Sequence, residues 1–263
     1  MDTLIINPEN VAESISKFIH KQFSEAGFKN AVIGLSGGID SSTVAYLAQR
    51  ALGKENVWGI NMPYRTSSIQ SADDAKLVAS ELGINHKTIE ITDMVDAYFR
   101  HQPDASQLRR GNMMARQRMA VLYDQSSALQ ALVLGCGNKT ELLLGYCTLH
   151  GDTACAMLPI GGLYKTQVRI LARYLGVPKG IIEKTPTADL WPGQSDEAEL
   201  GFTYSEVDKL LYLMMERNHG LNELRELGFA ESFIEKVSDK INKAKYKRCL
   251  PIAPQINQDM IHK

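Results

Sequence analysis

The chain has 263 residues, 44% hydrophobic and 22% charged, enough apolar material to bury a sizeable core in one large domain or two small ones. Its 29 Lys and Arg against 30 Asp and Glu leave a formal charge of −1, so no global basic field exists to hold nucleic acid by counterion release. The longest apolar runs, such as Ala131 to Leu134, fall far short of the roughly 20 residues a membrane helix needs, so no membrane span is expected.

Met1 to Asn10 carries Asp2 and Glu9 and no basic region followed by an apolar one, so no secretory signal is read and a cytoplasmic location is expected. After Pro8, apolar Val11, Ile15, Phe18 and Ile19 recur at helical spacing and predict an N-terminal helix over 8–24. Ala31 to Leu35 reads as a strand, followed by a tight turn at Ser36-Gly37-Gly38 and a helix from Ser41 to Leu52 closed by Gly53. Val57 to Met62 reads as a second strand, Ala72 to Leu82 as a helix ended by Gly83, and His86 to Ile91 as a third strand. A helix over roughly 112–127, the strand Ala131 to Leu134, a turn into Lys139 to Tyr146 and a helix from Thr166 to Leu175 continue the alternation. Alternating strand and helix predict a parallel sheet in an α/β core over about 30–185. Residues 186–201, rich in Pro, Gly, Asp and Ser, read as a long functional or mobile loop, and 205–250 as a helical C-terminal part, all within one domain spanning 1–263. Cys136, Cys147, Cys155 and Cys249 form no C-x-x-C pair, which argues against structural zinc and a thioredoxin-type motif and for free thiols.

Chemistry concentrates after the first strand, in Ser36-Gly37-Gly38-Ile39-Asp40-Ser41-Ser42. Two adjacent glycines let successive N–H groups converge, and the following helix N-terminus adds partial positive charge, so the turn can cradle phosphate oxygens. The motif lacks the lysine of G-x-x-x-x-G-K-[ST] and the spacing of G-x-G-x-x-G, which excludes a Walker loop and a dinucleotide-type Rossmann loop. A tight turn with serine caps would explain the glycines and Ser41-Ser42, but would not also call for Ser36 and Asp40.

This loop resembles the pyrophosphate loop of the ATP pyrophosphatases, enzymes that split ATP between its α and β phosphates to adenylate a substrate. Gly111-Asn112, Ala115-Arg116-x-Arg118-Met119, Gly135-x-Gly-Asn138-Lys139-Thr140-Glu141, Pro159-Ile160-Gly161-x-Leu163-x-Lys165-Thr166, Lys184-x-Pro186-Thr187-Ala188-Asp189-Leu190-Trp191 and Gly193-Gln194-Ser195-Asp196-Glu197 narrow the resemblance to the NAD synthetase family. The blocks run in family order from about residue 30 to Pro251. The resemblance implies a doubly wound parallel α/β sheet of the ATP pyrophosphatase type, with a helical C-terminal part, in a ligase that converts deamido-NAD to NAD through an adenylated intermediate. Glutamine-using members carry an amidase domain of several hundred residues ahead of the synthetase; 35 residues precede Ser36 here, so ammonia is the expected nitrogen donor.

By the same resemblance, Gly34, Leu35, Ser36, Gly37, Gly38, Ile39, Asp40, Ser41, Ser42, Met62, Cys136, Lys165 and Thr187 would bind ATP, and Asn112, Arg116, Tyr246 and Lys247 the deamido-NAD. Asp40 and Glu141 would hold Mg²⁺, which prefers one or two carboxylates beside substrate phosphates. Asp152 is the candidate to receive a proton from ammonia, with a turn aspartate bonding its own backbone as the alternative. Arg109, Arg110 and Arg118 form a basic stretch nearby that could face the dinucleotide pyrophosphate, and solvated helix charges explain them equally well. The family resemblance also implies a homodimer with deamido-NAD bound at the interface. Cys136 replaces a customary threonine, Leu149 and Ala156 a lysine and an aspartate, and Tyr246 a histidine. A related ligase acting on another carboxylate, and a non-catalytic ATP-binding protein, therefore remain as alternatives.

Overall fold

In the computed structural model, which describes residues 4–191, 193–249, 251 and 253–254, the chain begins with α1 (Pro8–Ala26), β1 (Asn30–Gly34), α2 (Ile39–Leu52), β2 (Val57–Asn61), α3 (Ile69–Leu82) and β3 (Asn85–Thr88). It continues through α4 (Thr92–Phe99), α5 (Gln107–Ala128), β4 (Ala131–Leu134), α6 (Lys139–Leu144), α7 (Lys165–Leu175), α8 (Lys179–Glu183) and α9 (Asp196–Leu200). It closes with α10 (Tyr204–Glu216), α11 (Leu221–Glu226) and α12 (Glu231–Lys243). Met1 to Thr3 and Pro192, which entered the N-terminal and loop readings, lie outside the described residues.

The strands pair in parallel in the order β3-β2-β1-β4, with Ala31 opposite Val57 on one side and Leu132 on the other. Alternation along β1 sends Ala31 and Ile33 into the layer made with α1, α2, α3 and α7, and Val32 into the layer made with α4 and α5. Both faces are therefore covered, the doubly wound arrangement expected, and each fully buried aliphatic side chain contributes roughly 1.5–3 kcal/mol. A third apolar cluster joins α10, α11 and α12 to Leu144 and Tyr164, so the helical C-terminal part packs on the α6 and α7 side of the core.

Several boundaries differ from the sequence expectation for local reasons. Helix α2 starts at Ile39 because extended Gly38 serves as N-cap and its carbonyl accepts from Ser42 N at 3.1 Å. Helix α5 begins five residues early because the Ser106 hydroxyl caps Arg109 N. Strand β3 stops at Thr88, although Ile89 N and Ile91 N go on donating to Asn61 O and Pro63 O. The 186–201 loop contains α9, and α4 and α8 are short helices the sequence did not announce.

The strand order reverses beside β1: the chain goes to β2 and β3 on one side and comes back to β4 on the other. Sheets of this kind bind ligands in the crevice outside the strand C-termini at such a switch point. The loop 36–38 leaves β1 there, and the turn 135–138 leaves β4 beside it.

Candidate active site

A cleft of about 570 Å³ opens at this switch point, floored by the ends of β1, β2 and β4 and walled by α5, residues 145–152 and residues 184–191. The turn after β1 is fixed by its serines. Ser36 Oγ accepts from Gly38 N at 3.2 Å and pairs with Ser41 Oγ at 3.0 Å, while Ser41 Oγ accepts from Ser36 N at 3.2 Å. Gly37 has φ +75°, and a Cβ there would come within 2.2 Å of Ser71 O, so neither the backbone conformation nor the space admits a side chain. Gly34, Leu35, Ser36, Gly38, Ile39, Asp40 and Ser41 line the cleft; Ser42 is buried and turns its hydroxyl back to Gly38 O at 2.8 Å.

Three charged groups meet beside this turn. Lys165, 2% exposed, donates from Nζ to Asp40 and to Glu141 Oε1, the latter at 3.1 Å. Asn138 ties the other two together: its Nδ2 donates to Asp40 Oδ1 at 3.1 Å, its Oδ1 accepts from Glu141 N at 3.0 Å, and its own N–H donates to Glu141 Oε2 at 3.3 Å. The last two bonds make a capping box, so Asn138-x-x-Glu141 was a readable signal for how Glu141 is aimed. Burial pulls the Lys165 pKa down, but Asp40 and Glu141 more than offset it and the ammonium is held in its charged form. Burial pushes Glu141 upward against the pull of Lys165, because one cation cannot balance two enclosed carboxylates.

Asp196, read within a functional or mobile loop and a family block but given no role, sits in α9 at 4% exposure and accepts from Tyr146 OH at 3.0 Å and Tyr204 OH at 3.2 Å. The ring of Tyr204 lies 5.1 Å from the Lys165 ammonium, so the 186–201 segment is docked against the charged cluster.

Met62 and Cys136 form part of the apolar wall, and burial pushes the Cys136 thiol up, so it stays protonated at neutral pH. Thr187 lines the cleft with its Oγ1 accepting from Asp189 N at 3.1 Å. Farther along, Asn112 Oδ1 accepts from Thr148 Oγ1 at 2.8 Å, and Asp152 Oδ1 accepts from Thr148 N at 2.6 Å. The bond to Thr148 N is the turn-aspartate alternative realised, yet Asp152 also faces the cleft from an exposed position, with desolvation by the surrounding protein raising its pKa from the ordinary aspartate value. Lys247 spans to the 145–148 backbone, donating to Gly145 O at 2.8 Å and Cys147 O at 2.7 Å. Arg116 and Tyr246 do not line the cleft: Arg116 Nε donates to Leu149 O at 3.2 Å from an exposed position, and Tyr246 is 61% exposed.

Two cleft cations went unassigned in the sequence. Arg118, weighed between a pyrophosphate contact and a solvated helix charge, reaches in and donates from Nε to Met62 O at 3.0 Å, with burial lowering its pKa to about 10 and Asp189 opposing. Lys184 donates to Ser71 Oγ at 3.1 Å and Asp74 Oδ2 at 2.9 Å, the residues that close in on Gly37.

The family model for NAD synthase matches residues 11–251. The chain belongs to the NAD synthase family. Among curated members it is 50% identical over 258 residues to an NH3-dependent NAD synthetase of Fusobacterium nucleatum, covering 98% of this chain and 100% of that one. It is 51% identical over 257 residues to one of Trichlorobacter lovleyi, covering 98% and 94%. Among solved structures it superposes on an NMN synthetase from Francisella tularensis (TM-score 0.85, 32% identity, 96% and 100% covered) and on the NH3-dependent NAD synthetase of Campylobacter jejuni (0.83, 34%, 95% and 100%). Within this chain the Ser36 to Ser42 turn, Glu141 and Lys165 converge on one place.

Proposed function

We propose that this chain is an ammonia-dependent NAD synthetase: the nicotinate carboxylate of deamido-NAD attacks the α-phosphorus of ATP, the bond to the β-phosphate breaks, and pyrophosphate leaves. Ammonia then attacks the acyl carbon, the carbon–oxygen bond to adenylate breaks, and NAD and AMP are released. The observation that carries the reading is the meeting of Asp40, Glu141 and Lys165 at the serine–glycine turn. Such a site needs no nucleophile of its own; positioning and charge do the catalysis.

In this reading the free N–H groups of the turn and the start of α2 face the phosphates, Lys165 takes up negative charge building on them, and Lys184 stands across Gly37 for the departing pyrophosphate. Asp40 and Glu141 fit Mg²⁺: both are hard oxygen donors, and with a single ammonium between them they carry surplus negative charge that a divalent cation would relieve. Mg²⁺ held there would neutralise charge on the polyphosphate. Met62, Cys136, Arg118 and Thr187 bound the space for the adenosine half of ATP, and Asn112 and Lys247 line the end left for deamido-NAD, with Arg116 and Tyr246 outside the cleft. Asp152, with its raised pKa, holds ammonium in reach of the acyl carbon and accepts its proton.

The protein acts on these small molecules as a homodimer, supported by exposed Met94 and Tyr98 on α4 and Leu108 and Tyr123 on α5. A cytoplasmic location fits its four free cysteines, and no helix among the described residues is long and apolar enough to cross a membrane. Pyrophosphate release from purified protein with Mg²⁺ and ATP tests the reaction. Release should require deamido-NAD, and NAD should form with ammonium but not glutamine. Because one neighbour is an NMN synthetase, nicotinate mononucleotide is the competing substrate; a higher kcat/KM for it would overturn the dinucleotide assignment. Sedimentation tests the dimer, and a monomer at assay concentration would remove it.

A further inference from the structure

We infer that Asp208, a carboxylate of the helical C-terminal part, is a positioning residue for the reaction, acting through Lys165; the inference rests on the role proposed for that lysine. Asp208 has no exposed surface. Its Oδ1 accepts from Thr140 Oγ1 at 2.5 Å and its Oδ2 from Thr166 N at 2.8 Å. Thr140 Oγ1 in turn accepts from Lys165 N at 3.0 Å.

These bonds place one carboxylate of α10 on the first turns of two helices at once. Thr140 precedes Glu141 in α6, and Lys165 and Thr166 open α7. A carboxylate at helix N-termini is favoured by unpaired N–H groups and the helix dipole, which explains how it stands fully buried without a direct ion pair. Glu141 and Lys165 come from segments 24 residues apart in sequence, and one backbone bond, Lys139 N to Leu163 O at 2.8 Å, joins the start of α6 to the chain ahead of α7. Asp208 with Thr140 adds the side-chain link that reaches Lys165 itself, so the lysine backbone is tied to the helix that carries the glutamate. The C-terminal helices therefore set the geometry of the charged cluster rather than only covering the core.

Replacing Asp208 by Asn keeps the volume but not the bonding. The amide can accept from Thr166 N only by turning its NH₂ to Thr140 Oγ1, which then loses its acceptor and its alignment with Lys165 N. A displacement of about 1 Å at a reacting group can cost about 100-fold, so D208N should lower kcat by roughly 10- to 100-fold, with KM for ATP and deamido-NAD within about twofold of wild type. T140V should reproduce the loss and T140S should restore the rate. In a Lys165→Ala background D208N should add no further loss, since its effect runs through the lysine. A crystal structure of D208N should show Lys165 Nζ beyond hydrogen-bond reach of Glu141.

Unchanged kcat in D208N, additive loss in the Lys165→Ala background, or T140S as slow as T140V would overturn the inference. If D208N does not fold, T140V and T140S decide it alone. If wild type shows no deamido-NAD-dependent turnover, the proposed reaction fails, and the position of Lys165 in the variant crystals still decides the positioning role: an unmoved Nζ rejects it.

Discussion

At the Ser36 end of the cleft, Asp40 accepts from Asn138 and Lys165, Lys165 donates also to Glu141, Asn138 caps Glu141, and the lysine is almost wholly enclosed. At the opposite end Asn112, Thr148 and Asp152 bond mainly among themselves, and the nearby cations Lys247 and Arg116 are occupied with backbone carbonyls. The first end is held by bonds that join several segments; the second has its donors on nearby backbone, and in the proposed reaction some of them would be exchanged for substrate. A preorganised end suits charge stabilisation at phosphorus, where reorganisation would cost rate, and an adjustable end suits recognition of a large second substrate.

The largest effect expected from this contrast is at Asp40. D40N removes one of the two charges that hold Lys165 but little volume, so turnover should fall about 10²- to 10³-fold while the melting temperature moves by only a few degrees. Turnover with ordinary Mg²⁺ dependence would remove Asp40 from the mechanism. K184A comes next. Its ammonium is shared with Asp74 and Ser71 and partly exposed, and a lost charged contact to ATP should raise KM for ATP about tenfold with kcat less affected. A KM unchanged from wild type would confine Lys184 to bracing the turn. At the adjustable end, K247M should raise KM for deamido-NAD about threefold or more and leave KM for ATP alone; equal changes in both would show that the 145–148 segment serves the whole cleft.

The same division explains what the sequence disclosed. The Ser36 to Ser42 turn is legible because seven consecutive residues carry it, and the parallel core because β1, β2 and β4 are short apolar runs separated by helical periodicity. Glu141 and Lys165 could be placed through the family resemblance, and the Asn138-x-x-Glu141 capping pattern is local enough to have been read. Asp208, Lys184 and Arg118 were not legible: their partners lie 68, 110 and 56 residues away, and no periodicity encodes a bond formed only when the sheet closes. Helix α8 is five residues long and α4 buries only Val95 and Phe99, too little apolar pattern to separate either from a loop. The boundary errors at α2 and α5 came from caps, Gly38 and Ser106, whose role is set by backbone geometry more than by residue type.

The smallest effect expected is at Cys136, and it tests how polar the preorganised end is. The thiol is partly buried beside Asp40 and packs against the main apolar core, and burial followed by the Asp40 charge keeps it protonated. At neutral pH it should therefore resist iodoacetamide while exposed Cys249 is alkylated, which mass mapping would show. A protonated thiol is a weak donor, and threonine of similar size offers a stronger one at the same place. If a phosphate or ribose oxygen comes within reach, C136T gains a net hydrogen bond worth about 1 kcal/mol, so KM for ATP should fall by up to about fivefold with kcat unchanged. A rise in KM, or a drop of many degrees in melting temperature, would mean that an unpaired hydroxyl has been forced into an apolar wall continuous with Met62 and Leu134. The boundary between the two kinds of cleft surface would then run beside Asp40 itself, and the fixed, polar end would be confined to the turn, Lys165 and Glu141.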